Sequence, residues 1–110
     1  MTVSQAIIRR TSGGKVFIET PKGLYPLSPE NLRNILFYGQ HVPILPDGGD
    51  ADSEAVIFGK RPGFNGARRI FFVSAGRSFS IADVSFVSVV KGKWAAASMV
   101  EGPIQAASNA

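Results

Sequence analysis

The sequence predicts a mostly β domain, a small antiparallel barrel with one short helix, and three observations predict it. Apolar and polar residues alternate along Lys15–Thr20, with Val16 and Ile18 on one face, a pattern typical of a strand with one buried side. Short turns rich in glycine and proline separate this segment from its neighbours, and such turns favour antiparallel pairing. One tripeptide, Ser28-Pro29-Glu30, instead carries the signals of a helix start.

Three strands are predicted before the helix: Gln5–Arg10, Lys15–Thr20 and Leu24–Leu27. The β-branched Ile7 and Ile8 favour the first of them. Thr11-Ser12-Gly13-Gly14 and Pro21-Lys22-Gly23 supply the two turns, because glycine adopts the positive φ that tight turns need. Pro26 belongs at an edge of the sheet, since proline has no N–H to donate to a neighbouring strand.

The helix is predicted over Pro29–Tyr38. Ser28 caps its first free N–H groups, proline suits the first helical position, and Glu30 interacts favourably with the positive end of the helix dipole. Apolar residues then follow at offsets of three and four, which places them on one face: Leu32, Ile35 and Leu36. Gly39 ends the helix.

The second half of the chain is predicted to be an irregular stretch, Gln40–Ser53, followed by four strands: Glu54–Lys60, Ala67–Ala75, Ser78–Val90 and Trp94–Val100. A tight turn at Ala75-Gly76-Arg77 separates the second and third of these. The long strand Ser78–Val90 is apolar on both faces, which is typical of a central strand or of one that a neighbour covers.

A helix between the third and fourth strands resembles the order of the oligonucleotide/oligosaccharide-binding (OB) fold. This similarity of topology implies a barrel with OB-like or SH3-like strand order, and a fold by itself does not determine a function. The chain has 110 residues, which suits one domain. We expect a single β-barrel-like domain over residues 1–101 and a flexible C-terminal tail over 102–110, where the sequence is small and polar.

Composition excludes several classes of protein. The absence of cysteine excludes disulfides and thiol catalysis, and with one histidine, His41, it excludes a zinc site of the usual kind. No apolar run reaches the ~18 residues that a membrane span needs, so we expect no membrane association and a cytoplasmic or intravirion protein.

Motifs for catalysis are missing as well. The sequence contains neither a phosphate-binding loop nor a Gly-x-Ser-x-Gly elbow. The acidic run that starts at Asp50 lacks the glycine and glutamate of a calcium loop, since Ala55 and Arg61 occupy those positions. We expect no enzyme activity, no metal and no cofactor.

Charge is segregated along the chain, which carries a formal net charge of +4. Four of the eight acidic residues lie in one short segment: Asp47, Asp50, Asp52 and Glu54. The rest of the chain contains twelve basic and four acidic residues, and the interval from Ala55 to Ala82 contains five basic residues and no acidic one. A basic body with a separate acidic loop favours attraction to polyanions, of which nucleic acid is the commonest. The alternative is that the basic residues simply keep a phenylalanine-rich barrel soluble.

The strongest candidate site is the hairpin between the strands Glu54–Lys60 and Ala67–Ala75. Its tip combines glycines, four positive charges and one phenylalanine, which are the parts that bind single-stranded nucleic acid by phosphate contact and base stacking. The candidate nucleic-acid-binding residues are Lys60, Arg61, Phe64, Arg68, Arg69 and Arg77. In the alternative interpretation, Phe64 folds back over the barrel and the arginines are merely solvated.

Two functions are consistent with these features. The first is a non-catalytic protein that binds single-stranded DNA or RNA with little sequence preference. The second is a self-assembling structural or partner-binding protein of a virus or mobile element, a homo-oligomer in which a neighbour covers the strand Ser78–Val90. Obligate interfaces of that kind resemble protein cores.

Overall fold

Eight strands and two helices form a nearly closed antiparallel barrel in the computed structural model, which describes residues 6–48, 54–61 and 66–102. The strands are β1 (Ala6–Arg10), β2 (Val16–Thr20), β3 (Gly23–Leu27), β4 (Val42–Ile44), β5 (Ala55–Lys60), β6 (Arg69–Ser74), β7 (Arg77–Ala82) and β8 (Ala96–Glu101). The helices are α1 (Pro29–Leu36), which lies between β3 and β4, and α2 (Asp83–Val90), which lies between β7 and β8. The predicted fold class, a small mostly β barrel with a short helix, is confirmed.

The strands follow one another around the barrel in the order β3-β2-β1-β8-β7-β6-β5-β4. The similarity to the OB fold therefore extends to a barrel with a helix after the third strand, but not to the five-stranded Greek-key order of that fold. The two ends of the sheet meet at β3 and β4, where the N–H of Asp47 donates to the carbonyl oxygen of Leu24 at 2.6 Å. Pro26 lies on β3 and Pro43 on β4, so the predicted edge position of Pro26 is confirmed.

Side chains that alternate along the strands fill the barrel. Val16 and Ile18 on β2 are buried, as the sequence pattern predicts. Tyr25 is fully buried and contacts Phe72 edge to face, with ring centroids 5.1 Å apart. The buried residues among those described are apolar, and Tyr25 is the one among them that carries a polar group on its side chain. The interior of the barrel is therefore an apolar core rather than a polar channel.

Helix α1 begins where the sequence predicts. The Ser28 hydroxyl accepts a hydrogen bond from the N–H of Asn31 at 3.0 Å, and Pro29 is the first helical residue. Ile35 is its buried residue. The helix ends at Leu36, two residues before the predicted end at Tyr38.

The predicted long strand Ser78–Val90 is wrong, because the strand ends at Ala82 and continues as α2. Its four valines favour a strand by propensity, but tertiary packing outweighs that preference. Phe86 and Val89, three residues apart, both enter the core from one face of the helix. Asp83 in the first turn also suits a helix N-terminus. The segment looks apolar on both faces because a strand, with a side-chain period of two residues, passes directly into a helix, with a period of about 3.6 residues. A covering neighbour is therefore not needed to explain its apolar residues.

The predicted irregular stretch Gln40–Ser53 is wrong over three residues, since Val42–Ile44 forms β4. Val42 and Ile44 are buried and Pro43 between them is exposed, which is strand alternation over a length too short to recognise in the sequence. The last strand starts at Ala96 rather than Trp94, and the predicted tail lies outside the described residues from position 103 onward. None of the described helices has the length and apolar character to cross a membrane.

Candidate nucleic-acid interface

The hairpin of β5 and β6 carries most of the predicted site residues. Lys60 ends β5 and Arg69 begins β6, and the two residues are directly opposite each other in the register. Lys60 and Arg61 are exposed. Phe64 lies outside the described residues, so the prediction of a stacking ring at that position stays a prediction. The described part of the hairpin therefore presents Lys60, Arg61 and Arg69 at one end.

Lys60 and Arg69 start from neighbouring positions, because directly opposed residues in antiparallel strands have Cβ atoms only about 5 Å apart. The Arg69 Nε donates to the hydroxyl of Ser80 on β7 at 3.0 Å, which holds the guanidinium toward β7 but does not neutralise it. The ion pairs formed within the described part of the chain do not involve Lys60, Arg61 or Arg69. An anion that binds at this end of the hairpin would therefore meet positive charges from both strands.

A row of aromatic rings lies beside these cations on the same face of the sheet. Phe58 is two residues before Lys60 on β5, and Phe71 is two residues after Arg69 on β6, so each ring shares a face with its neighbouring cation. The rings of Phe58 and Phe71 are 5.5 Å apart, with 18° between their planes. Their chain neighbours Ile57, Ile70 and Phe72 belong to the interior cluster, whereas Phe58 and Phe71 do not. Both rings therefore project from the outside of the barrel wall.

His41 extends this row by one ring. Val42 pairs with Ile57 in the register, which brings the residue before β4 beside Phe58. The imidazole of His41 stacks on Phe58 with centroids 4.2 Å apart and 18° between the planes. Phe58 and Phe71 are buried, whereas His41 is exposed and ends the stack. A nucleobase has a flat ring that can continue such a stack on His41.

Arg68 does not belong to this outer face. Its guanidinium donates to the backbone carbonyl oxygen of Ile35 in α1 and, at 3.4 Å, to the carboxylate of Asp83 in α2. The N–H of Asp83 in turn donates to the Arg68 carbonyl oxygen at 3.1 Å. Because intramolecular partners hold this side chain, we assign Arg68 a structural role and leave it out of the interface.

Gly59 makes room for this arrangement. A Cβ atom at that position would lie 2.6 Å from the Nε of Arg68, far closer than non-bonded atoms approach. A larger residue at this position, the fifth of six in β5, would therefore displace the Arg68 guanidinium, and the close approach of another group is a usual reason for glycine inside a strand.

Arg77 lies at the opposite end of the hairpin. It pairs with Ser74 in the register, five residues along β6 from Arg69, which corresponds to a distance of roughly 17 Å. Its guanidinium donates two hydrogen bonds to Glu101, at 2.8 and 2.7 Å, and lies 5.4 Å from the centroid of the Phe79 ring. The hydrogen bonds that Arg77 donates to Glu101 raise the pKa of Arg77 and lower the pKa of Glu101. Arg77 is thus separated from the cation pair and partly neutralised.

The sequence reasoning missed the aromatic row. Phe58 and Phe71 could have been found, because each lies two residues from a predicted binding cation on a predicted strand. His41 could not, because its position depends on β4, which falls in a stretch predicted to be irregular.

The described residues do not bring three potential metal ligands of the His, Asp or Glu type together. Asp50 and Asp52 lie outside the described residues, while Asp47 and Glu54 are exposed. Comparisons with protein-family models, with curated proteins and with solved structures found no match for this chain.

Proposed function

We propose that this protein binds single-stranded nucleic acid, without catalysis and with little sequence preference. The observation that carries the proposal is the placement of an opposed cation pair, Lys60 and Arg69, beside the stack of His41, Phe58 and Phe71 on one outer face. Arg61 adds a third positive charge at the exposed end of β5.

Each part of this face suits one part of a single strand. Lysine and arginine neutralise phosphates and release counterions, which makes the affinity fall as salt rises. An exposed ring accepts any base by stacking, because every base has a π face. Neither contact reads the hydrogen-bonding edge of a base, so little sequence preference follows. A duplex keeps its bases stacked on each other and offers no free face to His41.

The test is fluorescence anisotropy of a labelled mixed-sequence strand of about 30 nucleotides, long enough to span several binding sites of this size. The matching duplex and an RNA strand of the same sequence are titrated in parallel, at low and at moderate salt. We expect salt-dependent binding that favours single strands over duplex. Equal binding to single strands and duplex would indicate only a polycation effect, and no binding at low salt would refute the proposal.

A further inference from the structure

The two helices enclose a groove on the surface of the barrel. It has a volume of about 490 Å³, and its apolar walls come from Leu32, Leu36 and Phe37 on one side and from Val87 and Val90 on the other. The ion pair of Arg68 and Asp83 also lines it, where it joins the two helices. An apolar groove is one kind of site in which an amphipathic helix of another protein lays its apolar face.

Large apolar side chains stand exposed along this groove. Phe37 is 78% exposed and Val84 is 75% exposed, which makes them the two most exposed large apolar residues in the described part of the chain. Phe37 lines the groove itself, and Val84 lines an adjoining depression that shares Asp83, Val87 and Lys91 with it. Contiguous exposed apolar surface of this kind marks interaction sites on soluble domains.

The charges around the groove are nearly all positive. Arg33 lies on the α1 side, and Lys91 and Lys93 follow α2. The acidic residue among those lining the groove, Asp83, already accepts a hydrogen bond from Arg68. The salt bridges of the described residues do not include Arg33, Lys91 or Lys93. The rim therefore complements carboxylates.

We propose that this groove docks a segment of a partner protein that presents apolar side chains flanked by acidic residues. The apolar walls take the apolar side chains, and Arg33 and Lys91 pair with the carboxylates at the edges. A second copy of the chain placed face to face would bring Arg33 and Lys91 of one molecule against those of the other, and like charges across an interface disfavour association. His41, Phe58 and Phe71 are not among the residues that line the groove, so this proposal does not depend on nucleic-acid binding.

The probe is a fluorescein-labelled helical peptide of about 14 residues, with leucines at helical spacing on one face and glutamates flanking them. The matched control peptide has lysine in place of every glutamate. We expect saturable binding of the acidic peptide and none of the basic peptide. Phe37→Ser and Arg33→Glu should each weaken binding about tenfold or more, because they remove an apolar anchor and a charge partner.

Two control variants make the same chemical changes elsewhere. Val100→Ser removes a side chain that is 65% exposed on β8, and Lys22→Glu reverses an exposed charge in the β2–β3 turn, and neither should alter peptide binding. Circular dichroism melts test that Phe37→Ser is folded, and its melting temperature should stay close to that of the parent protein. Equal binding of the basic peptide, equal losses in the control variants, or concentration-dependent self-association that Phe37→Ser abolishes would overturn the proposal.

Discussion

The guanidinium of Arg68 donates a hydrogen bond to the backbone carbonyl oxygen of Ile35, in the last turn of α1. The same side chain reaches the carboxylate of Asp83 in the first turn of α2, so one arginine joins the end of one helix to the start of the other. Arg68 stands beside Arg69 in the sequence, yet the two side chains have different roles. Arg68 holds the helices, while Arg69 forms part of the outer cation pair.

Replacement of Arg68 should therefore reduce stability rather than nucleic-acid binding. Arg68→Met loses the hydrogen bond to Ile35 and the contact with Asp83, and we expect the free energy of unfolding to fall by about 1–3 kcal/mol. Urea denaturation measures this loss. The salt dependence of oligonucleotide binding should stay that of the parent protein, and a shallower salt slope with unchanged stability would place Arg68 in the interface instead.

Gly59 and Arg68 should be energetically coupled. Gly59→Ala alone introduces a Cβ that displaces the guanidinium from its hydrogen bonds to Ile35 and Asp83, so it should be destabilising. In the Arg68→Ala background the obstacle is gone, and the same glycine substitution should cost much less. A double-mutant cycle by urea denaturation measures the coupling, which we expect to reach about 1 kcal/mol or more. Strictly additive effects would show that Gly59 serves some other purpose.

His41 should contribute to affinity through stacking rather than charge. We expect His41→Ala to weaken binding to a single strand by about 1–3 kcal/mol while leaving the slope of affinity against salt unchanged. His41→Phe retains a ring on Phe58 and should keep most of the affinity. Anisotropy titrations of the three proteins at two salt concentrations make the comparison, and similar losses in the alanine and phenylalanine variants would exclude stacking at this position.

The pair of Arg77 and Glu101 should make stability depend on pH. The hydrogen bond from Arg77 lowers the pKa of Glu101 in the folded protein, so the unfolded chain binds this proton more readily. The contribution is present above the ordinary pKa of glutamate and is lost as the pH falls through the folded value.

Glu101→Gln removes this contribution, so the variant should be slightly less stable than the parent at neutral pH and equal to it in strong acid. The effect is small and fades with added salt, because both groups are exposed. Thermal melts across this pH range measure it, with Glu54→Gln as the control. A stability difference that grows on acidification would contradict the assignment.

Local signals in the sequence were sufficient for the elements that short-range chemistry determines. Ser28 and Pro29 mark the start of α1, and the alternation of Val16 and Ile18 marks a strand. The segment after Ala82 was not predictable in this way. Its valines favour a strand, and the helix depends on the packing of Phe86 and Val89 into the core of the barrel.

The same distinction applies to the site. Lys60 and Arg61 lie at a hairpin end, which the turn residues between two strands already indicate. The partner of Arg68 lies thirty-three positions earlier in the chain, and the stack of His41 on Phe58 needs the register of β4. Contacts between residues so far apart in the sequence depend on the closed barrel, so local sequence patterns do not predict them.

The most direct measurement compares Lys60→Glu with Lys22→Glu in binding to the single strand as salt is varied. The two variants change the net charge equally, but Lys60 faces Arg69, whereas Lys22 lines a small pocket with Arg77 at the other end of the barrel. We predict that Lys60→Glu weakens binding strongly and lowers the salt slope by about one phosphate contact or more, while Lys22→Glu has little effect. Equal losses in both variants would mean that net charge alone attracts the strand, and would contradict a defined interface at Lys60 and Arg69.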